Sequence, residues 1–271
     1  TLRGNFTYTA NMVKTWEEAF QKYAYQERAG KPYNYYVGYI ALGLFRDEDD
    51  VKYSPDQSSI AGREVLPGDI KYKDVNGDGV ITSDDQVPLS YQANYPRLMY
   101  GFGAEFRWKN LTLGVLFKGT GNVENYYVNP GNGGSGYLPF AMGVTGNVLS
   151  ITTDQSNRWT PREISGTAAT ENPNARFPRL SYGNDHNSLP QSTFWKTNAR
   201  YLRLQEINLN YHLGAGNILK AVGVSSLDLQ FVASNVYVWS PFKLWDPELA
   251  SSNGGAYPIP ARYAFQMYIN F

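Results

Sequence analysis

The chain has 271 residues, 24 of them basic and 24 acidic, so its formal net charge is zero and it lacks the excess positive charge of a nucleic-acid binder. It contains no cysteine, which excludes a disulfide framework, a thiol nucleophile and a Cys-ligated metal, and its two histidines, His186 and His212, are too few for a His-rich zinc site. Its 22 Tyr, 6 Trp and 13 Phe suit surfaces that are half wet and half apolar, such as sugar-binding faces or membrane interfaces.

No stretch approaches the roughly 20 apolar residues of a spanning helix. The negative mean hydropathy is compatible with a membrane barrel, whose strands present only one apolar face each. Thr1-Leu-Arg-Gly-Asn-Phe6 already reads as strand, so an exported protein would have lost its leader, or the chain is part of a longer one.

Residues 2–13 alternate, with Leu2, Phe6, Tyr8, Ala10 and Met12 against Asn5, Thr7, Thr9 and Asn11. Residues 14–34 are polar and charged and read as loop with a helical turn. Residues 35–45 have strand propensity without alternation, as in a strand buried on both faces. The acidic run Asp47-Glu-Asp-Asp50 reads as solvated surface. Leu98 to Trp108 and Leu111 to Phe117 then alternate on either side of Lys109-Asn110, which predicts a tight hairpin. Gly101 and Gly103 fall mid-strand, where small residues make room inside a barrel rather than a phosphate loop.

Residues 120–198 are Gly/Asn/Ser/Pro-rich and aperiodic, a length expected only of a functional loop. Strands return at 199–213 and 226–238. In the first, the apolar positions Leu202 and Leu204 are out of phase with Ile207, Leu209 and Tyr211, which predicts a bulge or a membrane exit near Gln205. The connection 240–259 is long and aromatic, and Trp239 and Trp245 are candidates for contact with a ligand or partner. The last strand, 260–271, puts Tyr263, Phe265, Met267, Ile269 and Phe271 on one flank and has the length a tilted strand needs to cross a hydrocarbon layer.

Short turns at 109–110 and 214–225 thus alternate with long segments at 14–96, 120–198 and 240–259, the asymmetry of outer-membrane barrels. If Phe271 ends in the periplasm, parity leaves six spanning strands and places 35–45 in an extracellular excursion. Six strands cannot close a barrel, and an open sheet in lipid has two unsatisfied edges, so neighbouring strands must come from another segment.

Asp74-Val-Asn-Gly-Asp-Gly-Val-Ile-Thr-Ser-Asp-Asp85 carries the spacing of a calcium loop. Asp74, Asn76 and Asp78 supply oxygens at positions 1, 3 and 5, Val80 its carbonyl at 7, and Asp85 a carboxylate at 12. Asp at position 12 reaches less far than the usual Glu, and the flank Gly68 to Lys73 looks extended rather than helical. The competing reading is an Asp/Asn/Gly turn held by its own hydrogen bonds. No nucleophile–base motif or separated carboxylate pair marks a catalytic site, which points away from an enzyme.

Several further segments together resemble the carboxy-terminal part of SusC-like TonB-dependent transporters, outer-membrane nutrient importers of Bacteroidetes. They are Gly4-Asn-Phe-Thr-Tyr8, Gly38-Tyr39, Pro67 through Gly79, Pro96 with Tyr100-Gly-Phe-Gly103, Arg158-Trp-Thr-Pro161, Ala199 through Leu204, Ser234-Asn235, Asp246-Pro-Glu248 and the terminal Phe271. The resemblance implies an all-β, transmembrane antiparallel β-barrel of 22 strands, of which residues 1–271 supply about the last six, with long extracellular loops. It implies a plug and earlier barrel strands outside this chain, a SusD-like lipoprotein lid, TonB acting through the missing amino-terminal part, and contact with outer-membrane lipid. The function so implied is import of a glycan or peptide, with Phe271 serving as an assembly signal. Loop 74–85 would hold a structural Ca2+ within an extracellular excursion. The alternative is a secreted all-β carbohydrate-binding or adhesin module with a structural calcium, which would turn its apolar flanks inward.

Overall fold

The structure, a computed structural model, describes residues 1–91, 95–126, 150–180, 191–214, 216, 219, 221–249 and 256–271. Parts of the long segment 120–198, His186 and parts of the connections 214–225 and 240–259 lie outside the described residues.

In chain order the first strands are β1 (Leu2–Tyr8), β2 (Tyr36–Gly38), β3 (Ala41–Leu44), β4 (Ile70–Tyr72), β5 (Val87–Ser90) and β6 (Leu98–Trp108). They are followed by β7 (Leu111–Gly121), β8 (Glu124–Tyr126), β9 (Lys196–Asn198), β10 (Tyr201–Gly214), β11 (Ser226–Trp239) and β12 (Arg262–Asn270). The six long strands form one sheet in the order β1-β6-β7-β10-β11-β12, antiparallel throughout.

Register aligns the apolar positions of all six strands on one flank. Across one row, Phe106 faces Leu113, Leu113 faces Leu209, Leu209 faces Phe231 and Phe231 faces Phe265. No second layer covers this flank among the described residues: Phe106, Phe265 and Met267 are 62%, 69% and 56% exposed. A soluble sandwich would bury such a flank against a second sheet, because open apolar area of this extent is unfavourable in water. The opposite flank carries Arg3, Asn5, Glu105, Arg107, Glu206, Asn208 and Gln230.

The phase change in β10 is a bulge. Its register shifts between Leu204 and Glu206 against both neighbours, leaving Gln205 as the extra residue relative to β7. Leu202 and Leu204 therefore stay on the apolar flank with Ile207 and Leu209. At the same level Asn235 of β11 adopts a left-handed φ of 55°.

The sequence expectations need four corrections. The first strand stops at Tyr8 rather than residue 13, because the chain leaves the sheet after Thr9 donates its N–H to the Arg97 carbonyl. The last spans Arg262–Asn270. Residues 35–45 form two short strands, not one: β2 pairs with β5 and β3 with β4. The acidic run 47–50 is not merely solvated surface: Asp47 caps helix α1 (Glu48–Lys52), accepting the Asp50 N–H, and Asp50 meets Lys71 Nζ at 2.7 Å.

The hydrophobic core lies outside the sheet. Tyr39, Leu44, Ile70, Tyr72 and Ile81 from the first long segment pack with Trp159, Ala175, Phe177 and Trp195 from the second. Buried Asp69 joins the same two segments, taking Arg179 Nε at 2.6 Å and Arg63 Nη2 at 3.1 Å. Gly68, with φ of 85°, lets the Trp159 ring lie against the backbone: a Cβ there would sit 2.3 Å from the ring. Gly68→Ala is expected to destabilise this unit by about 1–3 kcal/mol. Hydrogen exchange read by mass spectrometry should show the loss as faster exchange of the Phe177 and Arg179 amides, with the β6–β7 hairpin unaffected.

Candidate functional site

Three polar features stand on this frame. The first is the polar flank of the sheet, where Arg3, Glu105, Arg107, Glu206, Asn208, Asn210 and Gln230 line a concavity. Gln230 Nε2 donates to Asn208 Oδ1 at 3.0 Å. Gly101 and Gly103 deepen a neighbouring dent, since a Cβ on Gly103 would lie 2.8 Å from the Val115 carbonyl oxygen. The glycines thus do make room on this flank.

The second is a charge network at the bulged end of β10. Arg203 is 2% exposed, bonds both Asp246 oxygens at 2.6 Å through Nη2, and donates from Nε to Glu248 Oε2 at 3.0 Å. Lys118 on β7 meets the other Glu248 oxygen at 2.5 Å. Together they clamp the segment after β11 to the wall formed by β7 and β10. Sequence reading found the two motifs but not their contact. The available signals were a lone arginine between Leu202 and Leu204 and two carboxylates in an otherwise aromatic connection. Trp239 is about half exposed at the end of the apolar flank, whereas Trp245 packs edge-on against Phe242 at 5.0 Å.

The third is loop 74–85, whose residues do wrap together. Asp74 accepts the Gly77 N–H at 2.6 Å and the Gly79 N–H at 2.8 Å; Asn76 accepts from Asp78, and Asp78 from Val80. Asp85 is fully buried and accepts the Val75 and Thr82 amides. The Gly79 amide is the main cause holding the Asp74 carboxyl below its ordinary range. A depressed value contributes stability that is complete above the unfolded carboxylate range and is lost as pH falls through the folded value. These contacts satisfy the loop as an Asx turn, yet each Asp78 oxygen accepts one recorded bond and keeps a second lone pair for a cation. Among the described residues, no three Asp, Glu or His side chains converge as a metal-holding group.

Arg203→Met should free the 240–249 segment at a cost of about 3 kcal/mol, because Asp246 and Glu248 lose their buried counter-charge. Limited proteolysis of the intact protein should then cut between Ser240 and Leu249, where the wild type resists.

No family model matches the chain. It is 27% identical over 255 residues to the TonB-dependent receptor P26 of Formosa agariphila, a match covering 87% of this chain and 22% of that receptor. It is also similar in fold to a solved structure of the RagAB peptide transporter, at TM-score 0.57 and 19% identity, covering 98% of this chain and 25% of that one. A structure of the RagAB peptide importer in the closed-closed state aligns at TM-score 0.58 and 16% identity over 100% of this chain and 27% of that one. The chain therefore spans about a quarter of the length of these relatives. The uncovered apolar flank, the sequence likeness and the shared fold agree: the chain is similar to part of a TonB-dependent receptor, and its place is the outer membrane.

Proposed function

We propose that residues 1–271 are the carboxy-terminal barrel segment of a TonB-energised importer that takes a glycan or peptide nutrient across the outer membrane together with a SusD-like surface lipoprotein. The observation that carries this reading is the continuous exposed apolar flank across six paired strands. β6 and β7 have 11 residues each, which at about 3.3 Å per residue and a tilt near 45° gives a rise close to the roughly 25 Å apolar band of such barrels. The tight turn at Lys109-Asn110 ends the sheet on one side, and the long excursions leave from the other.

In the whole protein, taken as a 22-stranded barrel, the free edges of β1 and β12 pair with strands supplied by the remaining length. The polar flank then lines the interior around a plug, and the loop core stands outside as a rigid surface for substrate and lid. TonB acts through the plug, not through this segment. The named relatives are receptors and transporters rather than enzymes, which supports a role in transport without chemistry.

Val115 lies near the middle of the apolar flank, opposite Ala104 and Ile207. In the full-length transporter, Val115→Arg should cost about 2–4 kcal/mol in a urea titration in lipid vesicles, while Gln230→Arg on the polar flank should cost far less. Equal effects would remove the lipid-facing assignment. Deleting the transporter gene should abolish growth on the nutrient it carries.

Loop 74–85 is the place at which this protein takes a structural Ca2+, through Asp74, Asn76, Asp78, the Val80 carbonyl and Asp85. The order of oxygen donors along the loop supports it. Terbium luminescence should rise on titrating the wild type and fail to rise for Asp78→Ala; identical curves would leave the loop as a self-bonded turn.

A further inference from the structure

One cavity lies in the loop core, away from the sheet, the charge network and the calcium-type loop. Its walls come from both long segments: Leu66 and Pro67 from the first, and Trp159, Pro161, Ile164 and Leu180 from the second. The Trp159 ring is held against Gly68, and the Trp159 backbone N–H is donated to the Phe177 carbonyl at 3.0 Å. Arg179 is fixed by its N–H to the Gly68 carbonyl at 2.9 Å and by Asp69. The cavity is therefore preformed, on backbone that the core already orders.

Its polar content is cationic. Arg158 lines it as a half-buried guanidinium, and its recorded contacts are neutral: Nε donates to the Thr152 carbonyl at 2.9 Å and Nη1 to Thr160 Oγ1 at 2.6 Å. No carboxylate meets it among the described residues, and burial lowers its pKa with no acidic neighbour to oppose the shift. The second guanidinium, Arg179, is paired with Asp69 at 2.6 Å. Apolar walls beside a guanidinium that no described carboxylate meets suit a ligand that brings its own carboxylate beside a large apolar group.

Building on the importer reading, we infer that this cavity is a subsite for the carboxy-terminal residue of an oligopeptide. The α-carboxylate meets Arg158, and a large apolar side chain lies against Trp159, Leu66 and Ile164. A neutral glycan offers the guanidinium hydroxyl acceptors but no charge to match its own, so the site favours peptides among the nutrients the transporter could carry. Arginine suits the role because its planar fork bonds both oxygens of a carboxylate.

The test uses the purified full-length transporter and acetylated hexapeptides ending in Phe, as free acid or carboxamide, with binding measured by calorimetry. The free acid should bind at least about tenfold more tightly than the amide, the gain expected of a charge-assisted hydrogen bond. Arg158→Gln should bring the acid down to the level of the amide. Because Arg158 also braces Thr152 and Thr160, a second variant is needed: Ile164→Glu, at an exposed position on the cavity rim, places a competing carboxylate there and should weaken the acid by a similar factor. Equal binding of acid and amide by the wild type would overturn the subsite. So would loss of a copurifying lipoprotein in Ile164→Glu with peptide binding unchanged, because the cavity would then be a protein contact. Peptide uptake that depends on the transporter but ignores the carboxy terminus would sink the subsite and leave the importer reading standing; loss of both would remove that reading as well.

Discussion

The structure depends on a flank that none of the described residues covers. Six strands place their large apolar residues on one side in continuous register, from Leu2 to Ile269, and among the described residues nothing packs on them. In water that arrangement would be driven to collapse or aggregate. In a bilayer the same flank needs no cover, and the burden shifts to the backbone, whose amides must all pair between strands because lipid offers no partner. The strands are accordingly long, antiparallel and uninterrupted except at one bulge.

Freed from holding the sheet together, the hydrophobic core sits in the excursions. Two long segments, far apart in sequence, meet through Tyr39, Tyr72, Phe177 and Trp195 and are cross-tied by Asp69 with its two arginines. A buried carboxylate shared by two guanidiniums is costly to desolvate but specifies one arrangement of the segments it joins. That is what a surface meant to meet another molecule requires, since loops ordered in advance lose less entropy on binding. The Arg203 network does the same for the segment after β11, tying it to β7 and β10.

Sequence reading reached the strands because a period of two survives wherever one flank meets an apolar medium and the other a polar one. Phe265 and Met267, or Leu111 and Leu113, announce their side without knowledge of their neighbours. It also located the irregularity at Gln205, since a bulge inverts the phase. It failed where contacts are long-range. Nothing local to Asp69 shows that its partner is 110 residues away, and the aperiodic stretch holding Trp159 and Phe177 gives no sign of a core. Residues 35–45 misled for the same reason: their apolar character serves two small pairings with β4 and β5, chosen by the fold and not by the segment itself. Loop 74–85 was legible as an oxygen-rich wrap because its bonds are local, whereas the cavity beside Trp159 could not be seen before its two walls were brought together.

The irregularity shared by β7, β10 and β11 has a consequence for how this wall can change. Between the same two rungs, Leu116 and Phe117 are adjacent on β7, one residue intervenes on β10, and two intervene on β11. Only the odd count inverts a strand, so Gln205 alone decides that Arg203 points toward its acids rather than into hydrocarbon. Losing that single residue would turn a guanidinium outward and two leucines inward in one step. Drift in length at this level is thus tolerated only in even steps or in concert with neighbouring strands, and the outer rim of the wall inherits its shape as a unit.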